Sequence, residues 1–376
     1  MKKICYITTV PGTIESFILK SAEYLHENTG WDISVICDFQ QKFKENLPEY
    51  IRYFPVKMKR GISISGIKAV FQMYRIFKEE QFDMIQYSTP NAAIYAAIAS
   101  KLSKIKIRNY HIMGFRYLGN IGISRVILKW IEKLTCMLST NIECVSKSNL
   151  ELGIRERLFK PEKATVVWNG STGGVNLERF DSLQRDEWRQ ELRKELGYTE
   201  KDFIFGFVGR ITRDKGINEL LEAFLQQQDE TKLILIGNIE KEELLDRELL
   251  RQARQSLKVM FHDSVADIER YYAMMDVLVL PSYREGFGNV IIEAAAMGTP
   301  AIVSNIPGPI DAIQEGKTGI TFEPYDADSL QNAMSLIKKD ISHYSKQNCV
   351  EFIKTRFDDK ILAKKILKQK ERYFKD

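Results

Sequence analysis

The sequence predicts an α/β protein of two domains, each built on a parallel β-sheet with helices on both faces. Its length of 376 residues exceeds what a single hydrophobic core usually fills. Short apolar runs typical of buried strands alternate with helical patterns through both halves of the chain. The segment WNGSTGG, residues 168–174, concentrates flexible turn residues near the middle and marks the domain boundary.

The individual elements follow from this alternation. Candidate strands of the first half are KKICYIT, DISVIC, FDMIQYS and NIECVS, and those of the second half are FIFGFVG, KLILIG, KVMFHD, DVLVLP and PAIVSN. Helical patterns such as INELLEAFLQQ and VIIEAAAMG separate them, which predicts two Rossmann-like domains, residues 1–168 and 169–355. Residues 356–376 form a basic amphipathic helix with no strand after it. We expect this helix on the outside of one domain, where it could cross back to the first.

Composition indicates a globular protein of a reducing compartment. Hydrophobic residues make up 44% and charged residues 28% of the chain, and no apolar run approaches the ~20 residues of a membrane-spanning helix. The N-terminal MKKICYITTVPG is too short in its apolar part for a signal peptide and is interpreted as a first strand. The five cysteines are scattered without C-x-x-C spacing, which favours buried thiols in the cytoplasm over disulfides or zinc.

The net charge of +5 conceals an asymmetry between the two halves. Residues 1–168 contain 25 Lys and Arg against 15 Asp and Glu, whereas the remainder contains 30 against 35. Nucleic acid, an anionic membrane surface or a phosphorylated acceptor could each explain a basic first half. No zinc-finger or RNP signature accompanies it, so a membrane surface or a lipid phosphate is the preferred partner, and no nucleic acid is expected.

The most informative segment is PSYREGFGNVIIEAAAMGTP, residues 281–300. It follows a buried strand and predicts a glycine-bearing loop and then a helix, whose N-terminus can bind an anion through unpaired N–H groups. Glu285 in the loop and Glu293 one turn into the helix can each accept hydrogen bonds from a diol. An anion flanked by two diols describes a nucleotide sugar. The structural alternative is that Glu285 caps the helix and Glu293 is an ordinary surface carboxylate.

A second strand–loop–helix unit, FIFGFVGRITRDKGINELLEAF, covers residues 203–224. Its loop contains Arg210, which can bind phosphate oxygens in a bidentate manner, and Lys215, which adds a point charge. A basic surface loop that merely solvates a turn is the alternative interpretation.

Residues 166–331 resemble the family 4 glycosyltransferases, which are retaining enzymes of the GT-B fold with two Rossmann-like domains facing across a cleft. The similarity includes VVWNGSTGGVNLERF, the VGR…KG segment and the whole stretch from FHDSVADIERYY to PGPIDAI. The first half matches more loosely. Its segment RNYHIMGFRYLG resembles bacterial enzymes that build capsular or exopolysaccharide repeat units on a lipid diphosphate carrier.

The resemblance implies a role for particular residues. Arg210 and Lys215 would hold the donor diphosphate and balance the charge of the leaving group, while Glu285 would contact the donor sugar. Further donor contacts would come from Gly12 and Val265, from the backbone of Gly286, Phe287, Gly288, Asn289 and Val290, and from Glu293 at the ribose. One departure from the family pattern is Asp263, where many relatives carry glycine, so the details of the loop that binds the base are open.

His111 and Arg116 are the candidate acceptor-binding residues of the first domain. Many relatives place a histidine or an acid in this loop beside the donor sugar or acceptor. The closest-looking pattern is R-x-Y-x-x-x-G-x-R-Y, which Arg108, Tyr110, Gly114, Arg116 and Tyr117 fit. By that pattern His111 could be structural, and Arg116 is a candidate contact for an acceptor phosphate.

No metal and no cofactor beyond the UDP-sugar co-substrate are expected. Asp326-Ala327-Asp328 formally matches a D-x-D metal motif, but it precedes a helical run, so Asp328 is interpreted as an N-cap or first-turn acid. Arg210, Lys215 and a helix N-terminus can supply the countercharge that a cation would provide.

Within IGISRVILKWIEKLTCML, the residues Arg125, Lys129 and Lys133 recur every four positions and share one helix face. A solvated basic face opposite a buried apolar one is the common explanation. The alternative is an interfacial helix that rests on anionic lipid, with Trp130 near the headgroups.

These observations favour a retaining, metal-independent glycosyltransferase. We expect it to move a sugar, of the N-acetylated hexosamine type, from a UDP-sugar to a lipid-diphosphate-linked saccharide in capsule or exopolysaccharide synthesis. It would act at the inner face of the cell membrane as a peripheral protein. A nucleotide-sugar epimerase of the same fold, a phosphorylase and a non-catalytic assembly partner are the alternatives.

Overall fold

The structure, a computed structural model, describes residues 1–58, 65–227 and 229–375. The chain forms two compact units: unit 1 comprises Met1–Gly173 and Lys360–Asp376, and unit 2 comprises Gly174–Asp359. The observed boundaries lie a few residues later than the predicted ends at 168 and 355. The chain enters and leaves unit 2 at one place, because Val175 pairs with Asp358 in a short parallel bridge. Gly174 has a φ of +69°, and an added Cβ would lie 2.8 Å from Asp359 Cα.

Among the described residues, unit 1 contains a seven-stranded parallel sheet in the order β3-β2-β1-β4-β5-β6-β7. Its strands are β1 Lys3–Ile7, β2 Asp32–Cys37, β3 Ile51–Pro55, β4 Met84–Tyr87, β5 Ile107–Ile112, β6 Asn141–Cys144 and β7 Ala164–Thr165. The sequence missed three of them. β3 is an edge strand that ends on a proline, β7 has two residues, and the polar residues of β5 hid its strand character.

Successive residues of a strand point to opposite sides of the sheet, so both faces of this sheet carry apolar side chains. Helices cover both faces. Ile4 and Tyr6 belong to one core, and Cys5 and Ile7 belong to the other. The helices of this part are α1 Pro11–Phe17, α2 Leu19–Thr29, α3 Gln41–Asn46, α4 Ser65–Glu80, α5 Pro90–Leu102, α6 Gly122–Leu138 and α7 Lys147–Arg155. Helices α1 and α2 pack on the core of Ile4 and Tyr6, and α4 and α5 pack on the other.

Unit 2 contains a six-stranded parallel sheet in the order β10-β9-β8-β11-β12-β13. Its strands are β8 Ile204–Val208, β9 Lys232–Ile236, β10 Val259–His262, β11 Val277–Leu280, β12 Ala301–Ser304 and β13 Gly319–Phe322. The sequence predicted the first five and missed β13. That strand begins with a glycine that looks like a turn residue, but an added Cβ at Gly319 would lie 2.3 Å from Ala301 O, so close strand packing explains it.

The helices of unit 2 lie before, between and after these strands. They are α8 Arg185–Glu195, α9 Ile217–Leu225, α10 Arg247–Gln255, α11 Ile268–Met274, α12 Asn289–Ala296, α13 Ala327–Lys339 and α14 Lys346–Arg356. Two parallel α/β sheets with helices between the strands confirm the predicted fold class.

The last helix, α15 Asp359–Lys375, returns to unit 1 and is held there by a buried ion pair. Lys370 is 1% exposed and donates to Gln86 Oε1 at 2.6 Å and to the two carboxylate oxygens of Glu143 at 2.7 and 2.8 Å. Burial alone would raise the pKa of Glu143, but the Lys370 ammonium group holds it below the ordinary range. Ile366, Leu367 and Tyr373 of this helix join the core of Ile4 and Tyr6. The return of α15 raises the balance of unit 1 to 32 Lys and Arg against 17 Asp and Glu.

Helix α6 is amphipathic, but its most exposed side chains are apolar, which reverses the usual arrangement. Its buried residues are Glu132, Thr135 and Cys136, whereas Trp130 is 69% exposed. The explanation of a solvated basic face opposite a buried apolar one is therefore wrong. The Tyr110 hydroxyl donates to Glu132 Oε1 at 2.7 Å, and burial raises the pKa of Glu132 to about 7 in spite of this bond.

We expect Lys370→Met to destabilise unit 1 strongly, because it leaves the Glu143 carboxylate buried without a counter-ion. Breaking one side of a buried pair costs about 3–5 kcal/mol. The measurement is the free energy of opening of the unit 1 strands by amide hydrogen exchange. Lys368→Met is the control, since Lys368 lies on the same helix and is exposed. Equal protection in the two variants would contradict a stabilising role for the pair.

The raised pKa of Glu132 predicts a specific pH dependence of stability. A carboxyl group whose pKa rises from 4.5 to about 7 on folding binds its proton more tightly in the folded state, so the free energy of unfolding falls as pH increases across that interval. Glu132→Gln resembles the protonated form and removes this dependence. At ~1.4 kcal/mol per pH unit, the wild type loses about 3 kcal/mol relative to the variant between pH 4.5 and 7.5. Denaturant titrations of both proteins across this range measure the difference, and parallel curves would contradict it.

Candidate active-site residues at the switch points of the two sheets

The strand order of unit 2 reverses between β8 and β11, and this position is the switch point of the sheet. The loops that follow these two strands meet at the carboxyl ends of the strands. In open α/β sheets this reversal opens the crevice in which ligands bind. Lys215, after β8, forms an ion pair with Glu285, after β11, and both side chains are largely buried. Ser282 Oγ also donates to Glu285 at 3.1 Å. The structure therefore brings together two of the predicted site residues that lie far apart in sequence.

Two glycines allow the backbones around this crevice to approach each other closely. Gly216, the N-cap of α9, has a φ of +69°, and an added Cβ would lie 2.0 Å from Pro281 O. Gly237, after β9, has a φ of +138°, and its added Cβ would lie 2.0 Å from Gly209 O. These approaches fix the positions of the loops that carry Arg210, Lys215 and Glu285.

Arg210 lies at the rim of this crevice, with half of its side chain exposed. It donates to Glu240 Oε2 at 3.1 Å and lies 3.9 Å from Asp214 Oδ2. Arg284 lies 3.3 Å from the same Asp214 oxygen. Burial would raise the pKa of Asp214, but the Thr212 hydroxyl and the nearby Arg284, Arg210 and Lys215 hold it below the ordinary range. Sequence reasoning missed Arg284 and Asp214, although Arg284 stands directly before Glu285 in the motif.

The glycine-bearing loop leads into α12 as expected, and the structure contradicts the two structural alternatives for its glutamates. The N-cap of α12 is Gly288, with a φ of +90°, so Glu285 does not cap the helix. Phe287 is buried, and Asn289 and Val290 form the first turn of the helix. Glu293 lies in the middle of α12, accepts a hydrogen bond of 2.9 Å from the Tyr272 hydroxyl, and has its pKa raised by burial. It is therefore not an ordinary surface carboxylate.

The loop that contains Val265 is held by an arginine that the sequence analysis did not single out. Val265 lies between β10 and α11 and is half-buried. Arg179 donates to Ala266 O at 2.6 Å and pairs with Glu269 at 2.8 Å, at the start of α11. In the sequence, Arg179 belongs to the NLERF segment after the domain boundary, which gives no signal of a contact so distant in the chain.

In unit 1 the strand order reverses between β1 and β4, and two threonines meet there. Thr9 N donates to Thr89 Oγ1 at 2.7 Å, and the two hydroxyl oxygens are 2.7 Å apart. Gly12 lies in the first turn of α1, not in the loop before it, and an added Cβ would meet nothing within 4 Å. The packing described for unit 1 thus does not explain a glycine at this position. The threonines were missed, although TTVP and STP both follow strands.

His111 lies in strand β5, which corrects its predicted position in a loop. Polar strand residues here bond across the sheet, as Asn109 does with Gln86, and this hid the strand from sequence reasoning. His111 is opposite Glu143 on β6, and its Nδ1 is 3.4 Å from Ser88 Oγ. The pKa of His111 is lowered to about 4, mainly by burial; Glu143 acts in the opposite direction and Lys370 in the same direction as burial. The imidazole is therefore neutral at pH 7.

Arg116 follows β5 in a short 3₁₀ turn and donates to Asn91 Oδ1 at 3.2 Å. Asn91 lies in the first turn of α5, after β4. The structure thus holds Arg116 near the carboxyl ends of β4 and β5, where His111 and Ser88 also lie.

The D-x-D match at Asp326 and Asp328 is accounted for by a helix end. Asp326 is the N-cap of α13 and accepts a hydrogen bond of 2.8 Å from Ser329 N, and Asp328 lies in the first turn. In the described ranges, no three or more His, Cys, Asp or Glu side chains form a group that could hold a metal ion. All five cysteines are buried free thiols.

Comparison with known proteins agrees with this geometry. Residues 14–172 match the model described as Glycosyltransferase Family 4, and residues 188–354 match the model described as Glycosyl transferases group 1. The capsular polysaccharide biosynthesis glycosyltransferase CapM of Staphylococcus aureus is 30% identical over 91% of this chain and 89% of its own length. The chain belongs to the family 4 glycosyltransferases. The family resemblance inferred from the sequence is therefore confirmed.

Other relatives extend this comparison. An Escherichia coli relative, the UDP-Gal:alpha-D-GlcNAc-diphosphoundecaprenol alpha-1,3-galactosyltransferase, is 25% identical over 99% of this chain and 96% of its own. Among solved structures, Anabaena Alr3699/HepE in complex with UDP superposes with a TM-score of 0.78 at 20% identity, covering 99% of this chain and all of that one. This family 4 glycosyltransferase has the GT-B fold, as predicted.

We expect Gly216→Ala to destabilise unit 2 by about 3 kcal/mol or more, because the new Cβ would meet Pro281 O and push the two switch-point loops apart. The matched control is Gly197→Ala. Gly197 has a similar φ of +77°, but an added Cβ meets nothing within 4 Å, so only backbone strain of about 1–2 kcal/mol remains. Urea denaturation of both variants measures the difference. Similar losses would show that strain alone, not the close approach, sets the cost at Gly216.

Proposed function

We propose that this chain is a retaining glycosyltransferase that moves a sugar from a UDP-sugar to a lipid-diphosphate-linked saccharide in capsule or exopolysaccharide synthesis. The observation that carries the proposal is the Lys215–Glu285 pair at the switch point of unit 2, with Arg210 at its rim. It combines cations suited to a diphosphate with a carboxylate suited to sugar hydroxyls.

The relatives support the finer parts of this proposal. The E. coli relative is named for a UDP-sugar donor and a diphosphoundecaprenol acceptor. A Campylobacter jejuni relative, 25% identical over 82% of the chain, is named as an N-acetylgalactosaminyltransferase that acts on a diphospho-undecaprenol compound. We therefore propose UDP as the nucleotide and an N-acetylated hexosamine as the class of sugar.

Donor binding would rearrange the ion pairs of the crevice. In the structure, Glu285 neutralises Lys215, and Glu240 and Asp214 neutralise Arg210. A diphosphate would attract both cations, so that Glu285 could accept hydrogen bonds from the donor sugar. Glu293, oriented by Tyr272, would bind the ribose, and the backbone of the loop with Val265, held by Arg179, would contact the base.

The proposed chemistry needs no protein nucleophile. The bond between the anomeric carbon and the diphosphate oxygen breaks, and its electron pair leaves with the diphosphate. The acceptor hydroxyl attacks the same face of the sugar and gives its proton to the departing phosphate oxygen. Arg210, Lys215 and the N-terminus of α12 would stabilise the charge of the leaving group, so we propose that no divalent cation is required.

Unit 1 has the charge suited to an acceptor that carries a diphosphate. Its balance is +15, whereas the rest of the chain has a balance of −10. Arg116 is the proposed contact for an acceptor phosphate. His111 would act as a neutral hydrogen-bonding group near the acceptor hydroxyl. Since such an acceptor is anchored in lipid, we propose that the protein works peripherally at the inner, anionic face of the cell membrane.

Calorimetric titration with UDP, GDP and ADP in the presence of EDTA tests the donor site. We expect micromolar binding of UDP to the wild type and about 10- to 100-fold weaker binding to Arg210→Ala, since a hydrogen bond to a charged group contributes about 1.5–3 kcal/mol. Arg251→Ala is the control, because Arg251 is an exposed arginine of the same unit, paired with Glu248. Failure of the wild type to bind any nucleotide would contradict the transferase and favour a non-catalytic partner.

The reaction itself is tested with UDP-sugars and a polyprenyl diphosphate-linked saccharide in EDTA. We expect transfer with retention of the anomeric configuration, which NMR of the product determines. An inverted product, or dependence on a divalent cation, would contradict that part of the mechanism. Formation of an epimeric UDP-sugar without an acceptor would identify an epimerase instead.

A further inference from the structure

Helix α6 presents a stripe of large apolar side chains to solvent. Its members recur at spacings of three and four residues, so they lie on one face of the helix. The stripe consists of Ile123, Val126, Ile127, Trp130, Leu134 and Met137, and Ile121 precedes it at the N-cap. Ile121 is 89% exposed, Ile123 80% and Met137 68%. Scattered exposed apolar residues are ordinary, but a contiguous stripe of this kind marks an interaction surface.

The opposite face of α6 is fixed to unit 1 by polar contacts, beside Leu128 and Leu138, which pack against the core of Cys5 and Ile7. Tyr110 donates to the buried carboxyl group of Glu132, and Lys129 pairs with Glu156 at 2.8 Å. The Arg125 guanidinium lies 5.6 Å from the centre of the Tyr117 ring. Rolling the helix to bury the stripe would break these contacts and expose the core residues Thr135 and Cys136. The contacts on the opposite face of α6 thus keep the stripe directed toward solvent.

We propose that this stripe inserts into the interfacial region of an anionic lipid bilayer and docks unit 1 on the membrane. This inference rests on the proposed function, since it names the surface that brings the protein to a lipid-linked acceptor. Trp130 lies at the centre of the stripe, and tryptophan favours the boundary between headgroups and acyl chains. The docking differs from that expected from the sequence, because apolar side chains make the contact, while the basic residues Arg125 and Lys129 turn toward the protein.

Charge decides between a bilayer and a second copy of the chain. Unit 1 has a balance of +15, and the exposed Lys133 borders the stripe. Two copies that paired through this face would bring together two units that each carry a balance of +15. An anionic bilayer covers the same apolar face and attracts the surrounding charge. Among the described residues, no helix is long and apolar enough to cross a membrane.

Flotation with lipid vesicles tests the proposal. The probes are vesicles of pure phosphatidylcholine and vesicles of phosphatidylcholine mixed with phosphatidylglycerol. We expect the wild type to bind the mixed vesicles, and the double variant Ile123→Ser, Trp130→Ser to bind them at least tenfold more weakly. The matched control is Leu257→Ser, which removes an apolar side chain that is 99% exposed in unit 2. Lys133→Gln should cause a smaller loss that disappears at high salt.

Two further measurements separate this proposal from the other possibilities. UDP binding by the double variant should equal that of the wild type, since the stripe contains no proposed donor residue. Loss of vesicle binding with intact UDP binding supports docking, and vesicle binding by a wild type that binds no UDP supports docking while the transferase fails. Equal vesicle binding by the double variant and the wild type would overturn the proposal. A wild-type dimer that becomes a monomer on substitution, without vesicle binding, would overturn it in favour of a second copy.

Discussion

The reversal of strand order at the centre of each sheet is the constraint on which the rest of this structure depends. Parallel strands are joined by crossover helices. Where the strand order reverses, the two neighbouring crossovers lie on opposite faces of the sheet, and a crevice forms between their loops. Between β8 and β11 this arrangement places Lys215 beside Glu285, and between β1 and β4 it places Thr9 beside Thr89. Gly216 follows from it too, since only glycine lets the loop after β8 approach Pro281 O this closely. The topology of each sheet thus determines which side chains meet at the site.

Much of the fold could be predicted from sequence because buried strands of a parallel sheet are short and apolar. DISVIC and KLILIG could be recognised for this reason. The strands that were missed have physical explanations: IRNYHI carries polar groups that bond to neighbouring strands and to α6, and GITF begins with a glycine required by strand packing. A local sequence pattern predicts the burial of a strand well, but it predicts hydrogen bonds to residues distant in the chain poorly.

For the candidate site too, local sequence motifs were informative, whereas contacts between residues distant in the chain could not be predicted. Motifs near the strand ends predicted the loops that carry Arg210, Lys215 and Glu285, because glycine and charge are concentrated in them. Asp214 and Arg179 could not be assigned in advance, because their importance lies in contacts with residues distant in the chain, such as Arg284 and Glu269. The sequence predicts a loop at His111 because its segment lacks the apolar pattern of a strand. Helix α6 was ambiguous for another reason: an amphipathic pattern shows that a helix has two faces but not which one faces the protein.

The return of α15 to unit 1 has a consequence for how the protein is made. The chain is synthesised from its N-terminus, yet unit 1 lacks Lys370 until the whole of unit 2 has been added. Unit 2 is continuous, and the pairing of Val175 with Asp358 brings the end of its chain beside the beginning. Its folding therefore delivers the last helix close to the point where the chain left unit 1. Unit 1 thus begins to emerge from the ribosome before unit 2 but is completed after it, and until then the Glu143 carboxylate lacks its Lys370 partner.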